Sequence, residues 1–270
     1  MNPNKTLWEK GDFTRIAQTM RESGEVLVKR LGIKEGQQVL DLGCGDGTTA
    51  IPAAQLGAQV LGVDIASNLV AAGNARAGEL QLTNCKFQEG DACDLRDLKD
   101  GSFDLVVSIF GAMFAPRPMD VAREMVRVTR PGGRITMGNW IPNDPTLVAR
   151  LLKIGAAYSP PPPEGFISPM LWGVEDNVIE RFGAAGVKRE QIAFERATYF
   201  FNYRGTPAGF ANEFRNFYGP AMNAFDAAEK NSRSADLQNE LEDLFESENR
   251  GSQKDALSIP ATFLHVTVTL

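Results

Sequence analysis

Through the first half of the chain, apolar residues come in short runs, and stretches of helical spacing separate them. Gln38–Leu42, 59–63, 85–88, Phe103–Ile109 and 134–140 read as strands. Most of these runs are continuously apolar rather than alternating, the pattern of strands covered on both faces. Helices are predicted between them at 48–56, 68–81 and 119–129. Ser67 is placed to cap the second, and Pro131-Gly132-Gly133 stops the third. A further helix over 12–32 carries Ile16, Met20, Leu27 and Leu31 on helical spacings. Short strands alternating with helices predict βαβ units and an α/β, doubly wound, mostly parallel sheet.

The pattern changes after residue 140. Helices are predicted at 145–157 and 174–185, around the stiff run Pro160-Pro161-Pro162-Pro163. Residues 190–203 read as extended and 206–250 as helical, with Phe210, Phe214, Phe217, Tyr218 and Phe225 near the start of that stretch. Residues 262–270 alternate like a strand. The later helices read as a lid on the sheet.

Composition narrows the class. The 270 residues are 43% hydrophobic, enough for a sizeable core. A net charge of -6 lacks the basic footprint of a nucleic-acid binder and gives no attraction to an anionic membrane. No run of 18 apolar residues predicts a membrane span. Cys44, Cys85 and Cys93 lack metal-ligand spacing and suggest a reducing compartment without disulfides. Met1-Asn2-Pro3-Asn4-Lys5 lacks the apolar run of a signal peptide. The expectation is a soluble cytoplasmic protein.

The chemistry starts at Asp41-Leu42-Gly43-Cys44-Gly45-Asp46-Gly47, between a strand and a helix. Glycines there allow a ligand to approach the backbone closely. A dinucleotide loop follows G-x-G-x-x-G, but here the third glycine comes one residue early and Thr48 follows it. Carboxylates at Asp41 and Asp46 would repel a pyrophosphate and attract an ammonium and a sulfonium. The loop therefore favours S-adenosylmethionine over NAD. Asp64 ends the next strand, where an acid suits two ribose hydroxyls. Asp91-Ala92 ends the third and suits the edge of an adenine.

These segments resemble the motifs of class I S-adenosylmethionine-dependent methyltransferases. The match runs from 39–47 through Gly62-Val63-Asp64-Ile65, Glu89-Gly90-Asp91-Ala92, 103–108 and Arg130-Pro131-Gly132-Gly133-Arg134. The small-molecule type that includes the ubiquinone/menaquinone methyltransferases is the nearest subgroup. The resemblance covers about 35–140. It implies a seven-stranded Rossmann-like sheet, with 190–203 and the C-terminal segment supplying the last two strands. The chain then divides into an N-terminal helical segment at 1–35 and a cofactor core at 36–140. A helical lid at 141–259 contains one strand, and a core strand follows at 260–270. The resemblance also implies roles. Asp41, Gly43, Cys44, Gly45 and Gly47 form the loop at the methionine part. Asp64 takes the ribose, Ile65 packs on adenine, and Asp91 and Ala92 read it. Ser108 lies by the amino group, and Phe13, in Gly11-Asp12-Phe13, closes over the cofactor.

The methyl acceptor is less legible. Phe110, Phe114, Trp140, Tyr218 and His265 are the candidate pocket residues, each with plain packing as the alternative. Ser108-Ile109-Phe110-Gly111 replaces the Asn/Asp-Pro-Pro-aromatic motif of amide and base methylases, so nucleic-acid bases and protein amides are disfavoured. No acid stands where metal-dependent catechol methylases hold magnesium, and no metal is implied. No cysteine lies beyond Cys93, which disfavours arsenite. The expected reaction is methyl transfer to a small molecule at O, C or N, leaving S-adenosylhomocysteine. No nucleic-acid or membrane partner is expected, and the chain is a monomer or homodimer. A non-catalytic S-adenosylmethionine sensor is the alternative. An NAD(P)-dependent oxidoreductase is disfavoured by Thr48 and by the lack of Tyr-x-x-x-Lys.

Overall fold

A computed structural model describes residues 4–253 and 255–270. The chain opens with three short helices, α1 (Asn4–Glu9), α2 (Thr14–Gln18) and α3 (Arg21–Arg30). The single helix expected over 12–32 is therefore broken. The Thr19 hydroxyl donates to the Ile16 carbonyl at 2.7 Å and closes α2. Gly11, at φ +78°, turns the chain between α1 and α2.

The Rossmann-like half follows as β1 (Gln38–Leu42), α4 (Ala50–Gln55), β2 (Gln59–Asp64), α5 (Ser67–Glu79), β3 (Cys85–Glu89), β4 (Phe103–Ile109), α6 (Pro118–Val128) and β5 (Thr129–Trp140). Ser67 does not cap α5. Its hydroxyl donates instead to Glu9 Oε1 at 2.7 Å, tying α5 to α1. The remainder is α7 (Leu147–Tyr158), α8 (Glu175–Ala184), β6 (Ile192–Arg204), α9 (Pro207–Phe217), α10 (Gly219–Lys230), α11 (Ser234–Glu248) and β7 (Ala256–Thr269). The helical stretch expected over 206–250 is three helices. Gly219-Pro220 starts a new one, and Ser232, at φ +55°, turns the chain before the third. β7 begins at Ala256, inside the segment read as lid. Pro260 disguises it, but there β7 pairs only with β6, because its pairing with β5 stops at Phe263–Trp140. A proline is tolerated where one side of a strand is unpaired.

The sheet order is β3-β2-β1-β4-β5-β7-β6, with only β7 antiparallel. β2 lies on one side of β1 and β4 on the other. Right-handed crossovers then place α4 and α5 on one face of the sheet and α6 on the other. The order reverses between β1 and β4, so a crevice opens above their carboxyl ends. The lid is narrower than expected. α7, α9, α10 and α11 pack together, whereas α8 packs on α6. Trp172 and Phe182 are buried there, 6.0 Å apart between ring centroids. Among the described residues no helix is long and apolar enough to cross a membrane.

Two loop glycines are required by packing. Gly43 and Gly111 cross in contact: a Cβ on Gly111 would sit 2.1 Å from the Gly43 carbonyl oxygen. Gly47, at φ +89°, faces Phe87, and a Cβ there would sit 2.6 Å from the ring. Gly45 is also left-handed, at φ +54°, but its Cβ direction is empty to 4 Å. Alanine at Gly45 or Gly47 should cost roughly 1–2 kcal/mol for the left-handed backbone. At Gly47 the Phe87 overlap should add roughly 1–3 kcal/mol. Denaturant melts of the two ligand-free variants should rank them in that order, and equal losses would contradict the packing role of Gly47.

Candidate functional site

The crevice above β1 and β4 is a single pocket of about 1320 Å³, mouth included. One end is the turn after β1 with the tips of β2 and β3. Of the expected cofactor residues, Phe13, Asp41, Gly43, Cys44, Gly45, Asp64, Ile65 and Ala92 lie on its wall. Gly47, Asp91 and Ser108 do not. Gly47 supports the loop from behind. Asp91 sits between the wall residues Gly90 and Ala92, and its Oδ1 accepts from the Cys93 amide at 2.8 Å.

Ser108 has a different task from the expected one. Its hydroxyl donates to the Leu42 carbonyl at 2.6 Å and accepts from the Ala112 amide at 2.9 Å. These two bonds join the loop after β1 to the turn after β4, and the side chain is buried away from the pocket wall.

The two loop acids also differ. Asp46 is 1% exposed and paired with Arg21 at 2.7 Å and Arg76 at 3.3 Å. Its charge is balanced inside the protein, so it does not supply the attraction expected of it. Asp41 is equally buried but has no arginine. Its Oδ2 has no hydrogen-bond partner among the described residues. Burial pushes its carboxyl up to about 8, offset in part by the Ala50 amide. A buried, unsatisfied carboxylate that lines a cavity is a cation-binding feature. Asp64 accepts from the Gly45 amide at 2.8 Å and the Ala66 amide at 2.9 Å. Burial raises its pKa, and these amides oppose the rise. They fix the carboxylate at the strand tip while leaving lone pairs over. Burial raises the Cys44 thiol well above its ordinary value, so Cys44 is an inert wall residue.

The other end of the pocket is aromatic. Phe110, Phe114, Trp140 and Tyr218 all line it. Phe110 takes the left-handed backbone at φ +64° and stacks on Trp140 at 3.6 Å between centroids. A bulky residue with positive φ is held only where its surroundings over-determine it. Here the Phe110 amide donates to the Gly138 carbonyl at 2.9 Å, and Gly111 is pinned against Gly43. Tyr218 is 7% exposed, and burial raises its phenol. His265 is not part of the pocket. It sits on β7 with Nδ1 3.8 Å from Glu195 on β6, and burial lowers its pKa.

Several wall residues had no local signal in the sequence. Trp8 on α1 packs edge-on to Phe114 at 5.0 Å and to Phe13 at 5.7 Å. Tyr199 and Phe201 come from the end of β6, and Leu147 and Leu151 from α7. α1 is strapped across the opening. Lys5 pairs with Glu89 at 2.6 Å, and Lys10 with Asp226 at 2.7 Å. The Asp12 amide donates to the Phe217 carbonyl at 3.2 Å. Among the described residues no cluster of three His, Cys, Asp or Glu is arranged to hold a metal.

A sheet in this order, with an acid-bearing glycine loop at its switch point, defines the class I S-adenosylmethionine-dependent methyltransferase architecture. Residues 40–137 match the family model described as a methyltransferase domain. The chain is 34% identical to an uncharacterized protein of Mycobacterium tuberculosis over 226 residues, 82% of this chain and 79% of that one. It is 37% identical to a ubiquinone biosynthesis O-methyltransferase of Albidiferax ferrireducens over 123 residues, 46% of this chain and 48% of that enzyme. A Haemonchus contortus phosphoethanolamine N-methyltransferase 2, solved with S-adenosylhomocysteine, shares the fold at a TM-score of 0.58 and 19% identity. That match covers 92% of this chain and 52% of that one. The chain belongs to this family: it is an S-adenosylmethionine-dependent methyltransferase.

Asp41 gives a stability test that needs no ligand. Its carboxyl keeps its proton in the fold up to about pH 8 but ionises near 3.8 when exposed. The unfolded chain therefore binds fewer protons across that window, and stability falls as pH rises through it. Asn at this position does not titrate. The melting temperature of Asp41→Asn should climb relative to the parent protein between pH 5 and pH 9. A difference that does not change with pH would show that Asp41 is not held protonated.

Proposed function

We propose that this methyltransferase acts on a small apolar or aromatic metabolite, at an oxygen, carbon or nitrogen. One observation carries the reading. The glycine loop and Asp64 share a single pocket with a wall built from Phe110, Phe114, Trp140 and Tyr218. Such a wall suits a flat or apolar acceptor bearing few hydrogen-bonding groups. Likeness to a ubiquinone biosynthesis O-methyltransferase supports a small-molecule acceptor.

The residues present fit the cofactor. Asp41 carries the orphaned oxygen that an ammonium would satisfy. Gly45 leaves open space beside the backbone. Asp64 stands at the tip of β2 for a ribose, with Ile65 and Ala92 on the wall for an adenine. S-adenosylmethionine supplies an already activated methyl group on a sulfonium. The protein's work is then to orient an acceptor and exclude water. Phe110 and Trp140 form a stacked pair, which gives the acceptor a rigid wall. Trp8, Phe13 and the strap anchored by Lys5 and Glu9 cover the opening. Tyr218 offers a neutral phenol in this apolar surround, suited to hold a polar atom of the acceptor by a hydrogen bond. Small molecules are the expected partners, with no nucleic acid or membrane.

Two measurements test the assignment. Asp64→Ala should weaken S-adenosylhomocysteine binding by roughly 2–3 kcal/mol in calorimetry. Unchanged affinity would remove Asp64 from the cofactor site. Metabolite extracts supplied with methyl-labelled cofactor should yield a labelled small molecule. Trp140→Ala should slow that transfer by roughly 10–100-fold while leaving S-adenosylhomocysteine affinity intact. Label that enters protein or nucleic acid alone, or no product at all, would overturn the reading.

A further inference from the structure

β6 is the edge strand of the sheet, and the helices before β1 close its open side around Tyr199. The Phe200 amide donates to the Ser23 hydroxyl at 2.8 Å, and the Asn202 amide donates to the Thr19 carbonyl at 2.7 Å. The Asn202 side chain donates to Glu22 at 2.6 Å. Joining Ser23 to Phe200 brings their neighbours, Gly24 and Tyr199, together. A Cβ on Gly24 would sit 3.0 Å from the Tyr199 hydroxyl and 2.7 Å from both the carbonyl oxygen and the methyl of Thr48. Glycine is a poor residue inside a helix. Here it makes room for the phenol beside the residue that follows Gly47. The same helix sends Arg21 to Asp46 in the glycine loop.

Tyr199 therefore joins the two ends of the pocket, whose wall it lines. Its ring belongs to the aromatic end, edge-on to Phe110 at 5.1 Å. Its hydroxyl reaches the glycine loop. The side chain is 1% exposed, and the hydroxyl has no hydrogen-bond partner among the described residues. A buried phenol normally finds one. Of the two phenols on the wall, Asp41 acts on Tyr199 and not on Tyr218. Burial raises both, and the Asp41 charge raises Tyr199 further.

Asp41 Oδ2 is the other orphan at this spot, and an ammonium seated there would satisfy it. An α-amino acid carries its carboxylate on the same carbon as its ammonium. That carboxylate then lies near Asp41, which repels it, and it needs a donor. Among the described residues no lysine, arginine or histidine lines the pocket. Arg21 and Arg76, which reach the loop, are paired with Asp46.

We propose that the Tyr199 hydroxyl donates to the carboxylate at the amino-acid end of the cofactor, beside the ammonium on Asp41. This rests on the placement of that ammonium at Asp41 and adds a binding residue from the far edge of the sheet. A hydrogen bond to a carboxylate is among the strong ones. Because the ring packs on Phe110, the same residue fixes the cofactor against the acceptor wall.

Calorimetry with two ligands tests the proposal: S-adenosylhomocysteine, and its decarboxylated analogue, which keeps the ammonium and lacks the carboxylate. Tyr199→Phe should weaken S-adenosylhomocysteine by roughly 10–100-fold and leave the analogue within about twofold of its affinity for the parent protein. The parent itself should bind the analogue more weakly than S-adenosylhomocysteine. A tyrosine with a merely structural role would weaken both ligands alike. Equal losses for the two ligands, no loss for either, or a parent protein that binds both equally well overturns the assignment of Tyr199 alone. Asp41→Asn should weaken both ligands. No effect on either overturns the ammonium site at Asp41 and this proposal with it.

Discussion

The contact between Gly43 and Gly111 organises this molecule. The backbones of the turns after β1 and β4 touch, with no space for a side chain on Gly111. Ser108 fastens the crossing by bonding to Leu42 and Ala112 at once. One consequence falls on the cofactor side, where the glycine loop is held at the mouth of the switch point. The other falls on the aromatic side. Next to the pinned Gly111, Phe110 is left-handed, and it stacks on Trp140. A rigid crossing thus sets the distance between the two ends of the pocket. In a methyl transfer that distance matters, because small misplacements of the reacting atoms are costly in rate.

Charge is handled differently at neighbouring positions of the same loop. Asp46 is neutralised by Arg21 and Arg76, and the pair locks α3 and α5 around the loop. Asp41 stands five residues earlier and has no counter-charge. A lone ionised carboxylate at 1% exposure is expensive, so the ligand-free protein keeps it protonated near neutral pH. Asp46 holds the fold together through its two arginines, and Asp41 is the loop acid left without a counter-charge among the described residues.

How much of this was legible follows the range of the interactions. The strands of the first half could be read from their own residues, because burial on both faces leaves continuous apolar runs such as Phe103–Ile109. Asp64 was legible because a strand tip and a glycine loop are close in sequence. The role of Gly47 was not, since the ring that demands it, Phe87, lies 40 residues on. The neutralisation of Asp46 requires Arg21 and Arg76, which lie 25 and 30 residues away. Trp8, Tyr199 and Leu151 reach the pocket from three separate elements, and nothing local marks them. Ser67 looked like a cap because its sequence position suits one. Glu9, on α1 and 58 residues earlier in the chain, takes its hydroxyl instead. The stretch 206–250 reads as one helical run, although Gly219-Pro220 suits a helix start, and the turn at Ser232 carries no signal.

The pocket places its ionisable groups unevenly, and this bears on the reaction. Asp41 and Asp64 both stand at the cofactor end. At the aromatic end the ionisable groups are Tyr199 and Tyr218, and burial raises both phenols above their ordinary value. Neither is a base at neutral pH. Under the proposed reading, the carboxyls nearest an acceptor bound there, among the described residues, are those of the cofactor end, and His265 lies outside the pocket. Such a site suits an acceptor that brings a nucleophile already reactive: a lone pair, an acidic hydroxyl that ionises by itself, or an electron-rich carbon. A neutral tyrosine still serves such a group, because its hydrogen bond orients the acceptor without competing for the methyl. The apolar wall then works twice. It strengthens that one hydrogen bond by excluding water, and it strips the nucleophile of the hydration that would slow its attack.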